Sequence, residues 1–206
     1  MASVADICNL GLGRAENKAQ VKTITPPENT TESKLCAKYY PIARDVTLAW
    51  SAWGFAKRFD TLTPLSNPIK GWSFRYKAPS LMLQPLGVYI SESDIPQPFD
   101  YGSHDTDGIV IHTNADLADI EFIKLITDTT KFSPLCVDAM GWLLGSYLAG
   151  PLTEGLKLGA ALRQKFEELV GPPVTAALLD ANASQRRTVE SSPGTYVPSS
   201  IRARQG

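Results

Sequence analysis

Thr31-Glu32-Ser33-Lys34-Leu35-Cys36-Ala37-Lys38-Tyr39-Tyr40-Pro41-Ile42-Ala43-Arg44-Asp45-Val46-Thr47-Leu48-Ala49-Trp50-Ser51-Ala52-Trp53 carries the strongest periodic signal in the chain. Leu35, Tyr39, Ile42, Val46, Trp50 and Trp53 recur at steps of 4, 3, 4, 4 and 3, which places them on one face of an α-helix. The helix should begin near Thr30 or Thr31, and Pro41 should kink or restart it. Trp50, Trp53 and Phe55 are expected as its bulky anchor against other helices. Lys57-Arg58 reads as a solvated helix terminus, favoured there by the helix dipole.

Toward the N-terminus, Ser3 to Gly13 reads as a short helix. Ser3 caps it with Asp6 three residues on, in the manner of a capping box. Val4, Ile7, Cys8, Leu10 and Leu12 form its apolar stripe, and Gly11 and Gly13 are expected to end it. A phosphate-loop reading of Gly11-Leu12-Gly13 lacks the preceding strand and the rest of the fingerprint. Val21 to Asn29 reads as a linker stiffened by Pro26-Pro27.

From Leu62 to Asp128 the pattern changes. Prolines recur, and short β-type runs appear at Trp72–Tyr76, Leu81–Leu83, Val88–Ile90, Gly108–His112 and Ile120–Ile126. Thr113-Asn114-Ala115-Asp116 is turn chemistry between the last two. Asp94 to Asp107, rich in Pro, Asp, Gly and Ser, reads as an exposed loop.

Helix should return after Ser133 as N-cap and Pro134 at the first helical position, with Trp142 in the core and Gly150-Pro151 as its stop. A further helix should open at Thr153, bury Leu158, Leu162, Phe166 and Leu169, and end at Gly171-Pro172-Pro173. Val174 to Val189 is a third helical candidate. The resulting expectation is an α+β fold: a helical bundle from residues 1–61 and 129–190, an inserted small antiparallel β region at 62–128, and an extended, flexible C-terminal tail at 191–206. The tail region is basic. Arg186, Arg187, Arg202 and Arg204 face only Glu190 between residues 181 and 206, and Tyr196, Val197 and Ile201 stand isolated among polar residues. That pattern suits a segment that orders on a partner.

Composition sets bounds on function. The 206 residues are 43% hydrophobic and 20% charged, as in ordinary globular chains. Twenty Lys and Arg against 21 Asp and Glu leave a net charge of −1, which argues against a broad grip on nucleic acid. No uninterrupted apolar run reaches membrane-spanning length, so no membrane partner is expected, and the first residues do not read as a signal peptide. Cys8, Cys36 and Cys136 are far apart, with no CxxC pair, as expected of buried thiols made in a reducing compartment.

Chemistry-bearing motifs are sparse. The two histidines, His104 and His112, lack partners at metal-ligand spacing, and no nucleophile elbow, zincin or Walker pattern occurs. No metal, no catalytic centre and no cofactor are expected. Asp100, Asp105 and Asp107 gather around His104, and a hydrolytic carboxylate–histidine site using His104 and Asp105 is the alternative reading.

Four stretches taken together resemble a known family: Ile7-Cys8-Asn9-Leu10-Gly11-Leu12-Gly13; Tyr39-Tyr40-Pro41-Ile42-Ala43-Arg44-Asp45; Trp50-Ser51-Ala52-Trp53-Gly54-Phe55-Ala56-Lys57-Arg58; and Trp72-Ser73-Phe74-Arg75-Tyr76 before Pro79. With the helical pair that follows Phe132, this order resembles the tail tubular protein A family of short-tailed phages, the head-to-tail adaptors, over about residues 3 to 170. The resemblance implies a non-enzymatic virion protein, assembled in the host cytoplasm. It implies a ring, typically of twelve copies, between the portal protein and the tail nozzle protein, with double-stranded DNA passing through. It makes Arg186, Arg187, Tyr196, Ile201, Arg202 and Arg204 candidate portal contacts. Residues 88 to 112, with Tyr89, Tyr101, His104 and His112, become candidate nozzle or neighbour contacts. A cell-wall hydrolase and a small nucleic-acid-binding module are the competing classes.

Overall fold

The computed structural model describes residues 2–91, 93–153 and 156–173. The expected helix at 174–189, the tail and its six candidate portal contacts lie outside those residues. The described elements, in chain order, are α1 (Val4–Arg14), α2 (Thr31–Trp50), β1 (Lys57–Thr61), β2 (Thr63–Leu65), β3 (Phe74–Lys77), β4 (Met82–Ile90), β5 (Pro96–Gln97), β6 (Phe99–His104), β7 (Gly108–Thr113), β8 (Ala118–Lys124), α3 (Pro134–Thr153) and α4 (Leu156–Val170), with a 3₁₀ turn at Thr129–Lys131. The strands form two four-stranded antiparallel sheets, ordered β1-β8-β4-β5 and β2-β3-β7-β6.

This corrects the expected helical bundle with a small β insert. The described chain is mixed α/β, with about 26% strand. The additional strands lack a sequence signal for a physical reason. β1, β2, β5 and β6 are short, polar or proline-bearing and mostly exposed, so they carry no alternating apolar pattern. They lie at the outer positions of the two sheets, where one side of the strand needs no partner. Thus Asp94–Asp107 is not a loop but contains β5 and β6, and Lys57-Arg58 opens β1 rather than closing a helix.

Two compact units divide the described chain. The first comprises residues 2–60, 79–86 and 121–173, and the second residues 61–78 and 87–120. In the first unit, α3 packs against α1, α2 and α4. Ala139, Met140, Leu143, Leu144 and Leu148 of α3 are fully buried, each large side chain contributing about 1.5–3 kcal/mol by burial. At 20 residues, α3 is long and apolar enough to cross a bilayer by length and composition, a match the search for uninterrupted apolar runs missed. Here its buried face is the centre of a helical core.

The start of α1 follows its expected chemistry. Ser3 Oγ accepts from Asp6 N–H at 3.1 Å, and Asp6 Oδ2 accepts from Ser3 N–H at 2.8 Å. Its end does not: Gly11 and Gly13 sit inside the helix. A Cβ on Gly11 would meet Leu144 Cγ at 2.9 Å, so Gly11 permits close approach to α3 instead of stopping α1. Similarly, Gly150-Pro151 does not stop α3, which runs on to Thr153, and α2 continues through Pro41 as one helix. Gly171 does end α4. It adopts φ +71°, and its N–H donates to Glu167 O at 2.9 Å.

On α2 the buried face is turned by one residue from the expected stripe. Cys36, Tyr40, Ala43 and Thr47 are buried, whereas Leu35, Tyr39, Val46 and Trp50 flank the core and Ile42 is 47% exposed. Cys36, Ala43 and Thr47 are small, which lets the helix approach its neighbours closely. Trp53, Phe55 and Trp142 also pack at the margin of the core. The Val21–Asn29 segment is docked rather than free. Asn9 Oδ1 accepts from Val21 N–H at 2.8 Å and Asn9 Nδ2 donates to Val21 O at 3.0 Å, with Val21 and Ile24 buried.

Candidate functional site

The second sheet lies wholly in the second unit, and its strand alternation sorts side chains onto two faces. Phe74, Tyr76, Phe99, Ile111 and Thr113 share one face. Tyr76, Phe99 and Ile111 are buried there, and Tyr76 Oη donates to Ala115 O at 2.9 Å. Arg75, His112 and Asp100 share the other face. They stand in one row across β3, β7 and β6, because Arg75 is directly opposite His112 and His112 directly opposite Asp100.

Burial on this second face is polar. Arg75 is 6% exposed and His112 5% exposed. The Arg75 guanidinium pairs with the Asp107 carboxylate, and its Nη1 donates weakly to the carbonyls of Ser66 and Asn67 at 3.4 Å. His104 Nδ1 stands 3.1 Å from the same Asp107 carboxylate. The β6–β7 hairpin makes this possible. His104 pairs with Gly108 across a three-residue connection, and Gly108 takes φ +73°, the left-handed position such a hairpin requires. Asp107 is thereby turned back toward β3. These residues surround a cavity of about 600 Å³, within the size range of small-molecule sites.

Two nitrogen atoms of the lining residues, Arg75 Nε and His112 Nδ1, are closed off from solvent and have no hydrogen-bond partner among the described residues. Burial holds the His112 pKa below its ordinary value, outweighing the nearby Asp100 carboxylate, while Arg75 and His104 push it in the same direction as burial. His112 is therefore neutral near neutral pH.

Of the candidate contact residues, Tyr101, His104 and His112 meet at this cavity. Tyr101 is 38% exposed on the edge strand β6 and His104 is also exposed. His112 is buried on β7 between β3 and β6. Tyr89 lies elsewhere, on β4 opposite Pro96 of β5. The carboxylate serving His104 is Asp107, not Asp105, which sits in the exposed turn. Arg75 and Asp107 were not picked out as site residues. Phe74-Arg75-Tyr76 does carry a signal, since alternation puts the arginine opposite the two aromatic rings. Its partner, 32 residues on, has no local signature.

A His–Asp–Arg chain orients an imidazole, but among the described residues no hydroxyl or thiol is hydrogen-bonded to His104. What the arrangement offers is a concave, polar surface with fixed donors and acceptors. The thiols lie in the first unit. Cys8 hydrogen-bonds Cys36, which together with burial raises the Cys8 pKa and lowers that of Cys36, while burial alone pushes Cys136 up to about 12; all three thiols are fully buried in the core. No protein-family model matches this chain, and comparison with curated proteins finds no match.

Proposed function

We propose that the chain is a structural head-to-tail connector of a phage virion. It forms a ring with copies of itself between the portal protein and the tail nozzle protein and conducts double-stranded DNA during ejection. The resemblance of the four stretches named above motivates this reading. One structural observation supports it most: among the described residues no further strand pairs at either end of the second sheet. β2 and β6 are its outer strands, and they present different surfaces. A closed ring requires two unlike, complementary surfaces on each copy, and an outer strand with unpaired backbone groups is a ready partner for one. Exposed apolar side chains of the same unit, Ile69, Ile95, Tyr101, Ile109 and Leu117, add area that a neighbour would bury. The near-neutral net charge of −1 suits a conduit through which phosphates slide without being retained.

The test is a mass measurement of the purified full chain alone and mixed with its portal ring. The expected result is a closed assembly of many copies on the portal. A chain that stays monomeric and fails to sediment with the portal overturns the reading. Turnover of a cell-wall polymer that is abolished by His104→Ala would favour the hydrolase instead.

A further inference from the structure

Charge in the second unit is sorted by sign. Residues 63–77, which hold β2 and β3, contain Lys70, Arg75 and Lys77 and no Asp or Glu. Residues 99–113, which hold β6 and β7, contain Asp100, Asp105 and Asp107 and no Lys or Arg, and the flanking Asp94 and Asp116 keep the same sign. The strand order β2-β3-β7-β6 sets these two blocks at opposite ends of one sheet. Arg75 and Asp107 spend their charges on each other within the copy. Lys70, Lys77, Asp100 and Asp105 are exposed, and none of them forms a salt bridge among the described residues. Apolar side chains accompany both blocks: Ile69 is exposed between β2 and β3, and Tyr101 and Ile109 are exposed on β6 and β7.

This sorting names the partner. With opposite signs at the two ends of one unit, the surface that complements each end is the other end of an identical copy. A net charge of −1 leaves whole copies with almost no mutual repulsion. The contact relies on side chains more than on a continued ladder, because Pro64 in β2 has no N–H to donate to a neighbouring strand.

We propose that the acidic β6–β7 end of one copy docks on the basic β2–β3 end of a second copy, with Asp100 and Asp105 set against Lys70 and Lys77. The contact is head-to-tail, so each copy keeps one free end for the next. It deepens the connector reading and rests on it for the closing of the copies into a ring. The pairwise contact itself needs neither portal nor nozzle.

Sedimentation velocity on the full chain alone tests it, at concentrations up to about 1 mM, where even a contact with a millimolar Kd is populated. The expected result is a mass that grows with concentration at low salt and recedes at about 1 M salt, where charges are screened beyond about 3 Å. Lys70→Glu with Lys77→Glu makes both ends acidic, and Asp100→Lys with Asp105→Lys makes both basic. Each variant alone should associate at least about tenfold more weakly, as attractions become repulsions. An equimolar mixture of the two should recover association, because every end again meets its opposite. Should a reversed variant fail to fold, Lys70→Gln with Lys77→Gln or Asp100→Asn with Asp105→Asn takes its place and should weaken association several-fold. A chain that stays monomeric at low salt overturns the proposal, and so does an association that ignores both sets of variants. In either case co-sedimentation with the portal still decides the connector reading. Charge-dependent association of a chain that never joins the portal would defeat that reading and keep this contact.

Discussion

The two units bury different things. The helical unit closes over apolar side chains: Ile7, Leu12, Leu48, Leu144, Leu148 and Phe166 are all fully buried. Its Arg14–Asp138 ion pair lies at the margin, and the guanidinium stacks over Trp142 at 3.9 Å. The second unit is apolar on one face of its sheet and polar on the other, where it buries an arginine and a histidine with donors or acceptors unspent. Unspent buried polar atoms are not confined to the second unit, since Tyr40 Oη and Thr47 Oγ1 of the helical unit also lack a partner among the described residues; what sets the sheet unit apart is a guanidinium and an imidazole buried on one face of its sheet.

The sharpest way to break this contrast is to cut into the helical core. Phe166→Ala removes a ring that meets Trp50 edge-on at 5.1 Å. The expected loss is about 3–5 kcal/mol, measured by urea denaturation. A loss below about 1 kcal/mol would mean that the core repacks around the gap and is less cohesive than its burial indicates.

Next in size is Arg75→Met. Asp107 loses its guanidinium partner but keeps His104 Nδ1 at 3.1 Å and some contact with water, being 29% exposed. About 1–3 kcal/mol should be lost. Hydrogen exchange should quicken in β6 and β7 while the amides of α3 keep their protection. Uniform loss of protection would show that the polar face sustains the whole fold rather than a site.

How much of this contrast could be read in the residues differs between the units. The helical unit announces itself locally. Ser3 and Asp6 mark a start, Gly171 marks a stop, and the period of α2 marks a buried face. The buried face differs from the expected stripe by one residue step, because periodicity weights large side chains while close packing on α2 selects Cys36, Ala43 and Thr47. The sheet unit is legible only in its apolar strands. Asp100-Tyr101-Gly102-Ser103-His104 has no strand signal of its own and is a strand because β7 offers it a ladder. The site is less legible still, since Arg75 and Asp107 are joined by topology, not by spacing.

A pH series sharpens the comparison further. Because burial lowers the His112 pKa in the folded state, the unfolded chain takes up a proton first as pH falls below about 6.5. The stability contributed by neutral His112 is thus fully present above that pH and is lost as pH falls from there toward the folded value. His112→Gln should flatten the denaturation midpoint over that window. An unchanged slope would assign the pH dependence to other groups.

The smallest effect expected lies on α4, where a cation serves the apolar unit. Arg163 sits 4.9 Å from the Trp50 ring centre and 5.4 Å from that of Phe166, and it also pairs with Glu167 at 2.8 Å. Stacking on a half-buried ring contributes about 0.5–1 kcal/mol, while an exposed pair one turn apart contributes about 0.3–0.5 kcal/mol and weakens with salt. Arg163→Ala should therefore cost more than Glu167→Gln, and the difference should persist at high salt. Equal losses that vanish together in salt would mean that pairing, not contact with the aromatic rings, holds this arginine. The helical unit would then lean on polar chemistry as the sheet unit does.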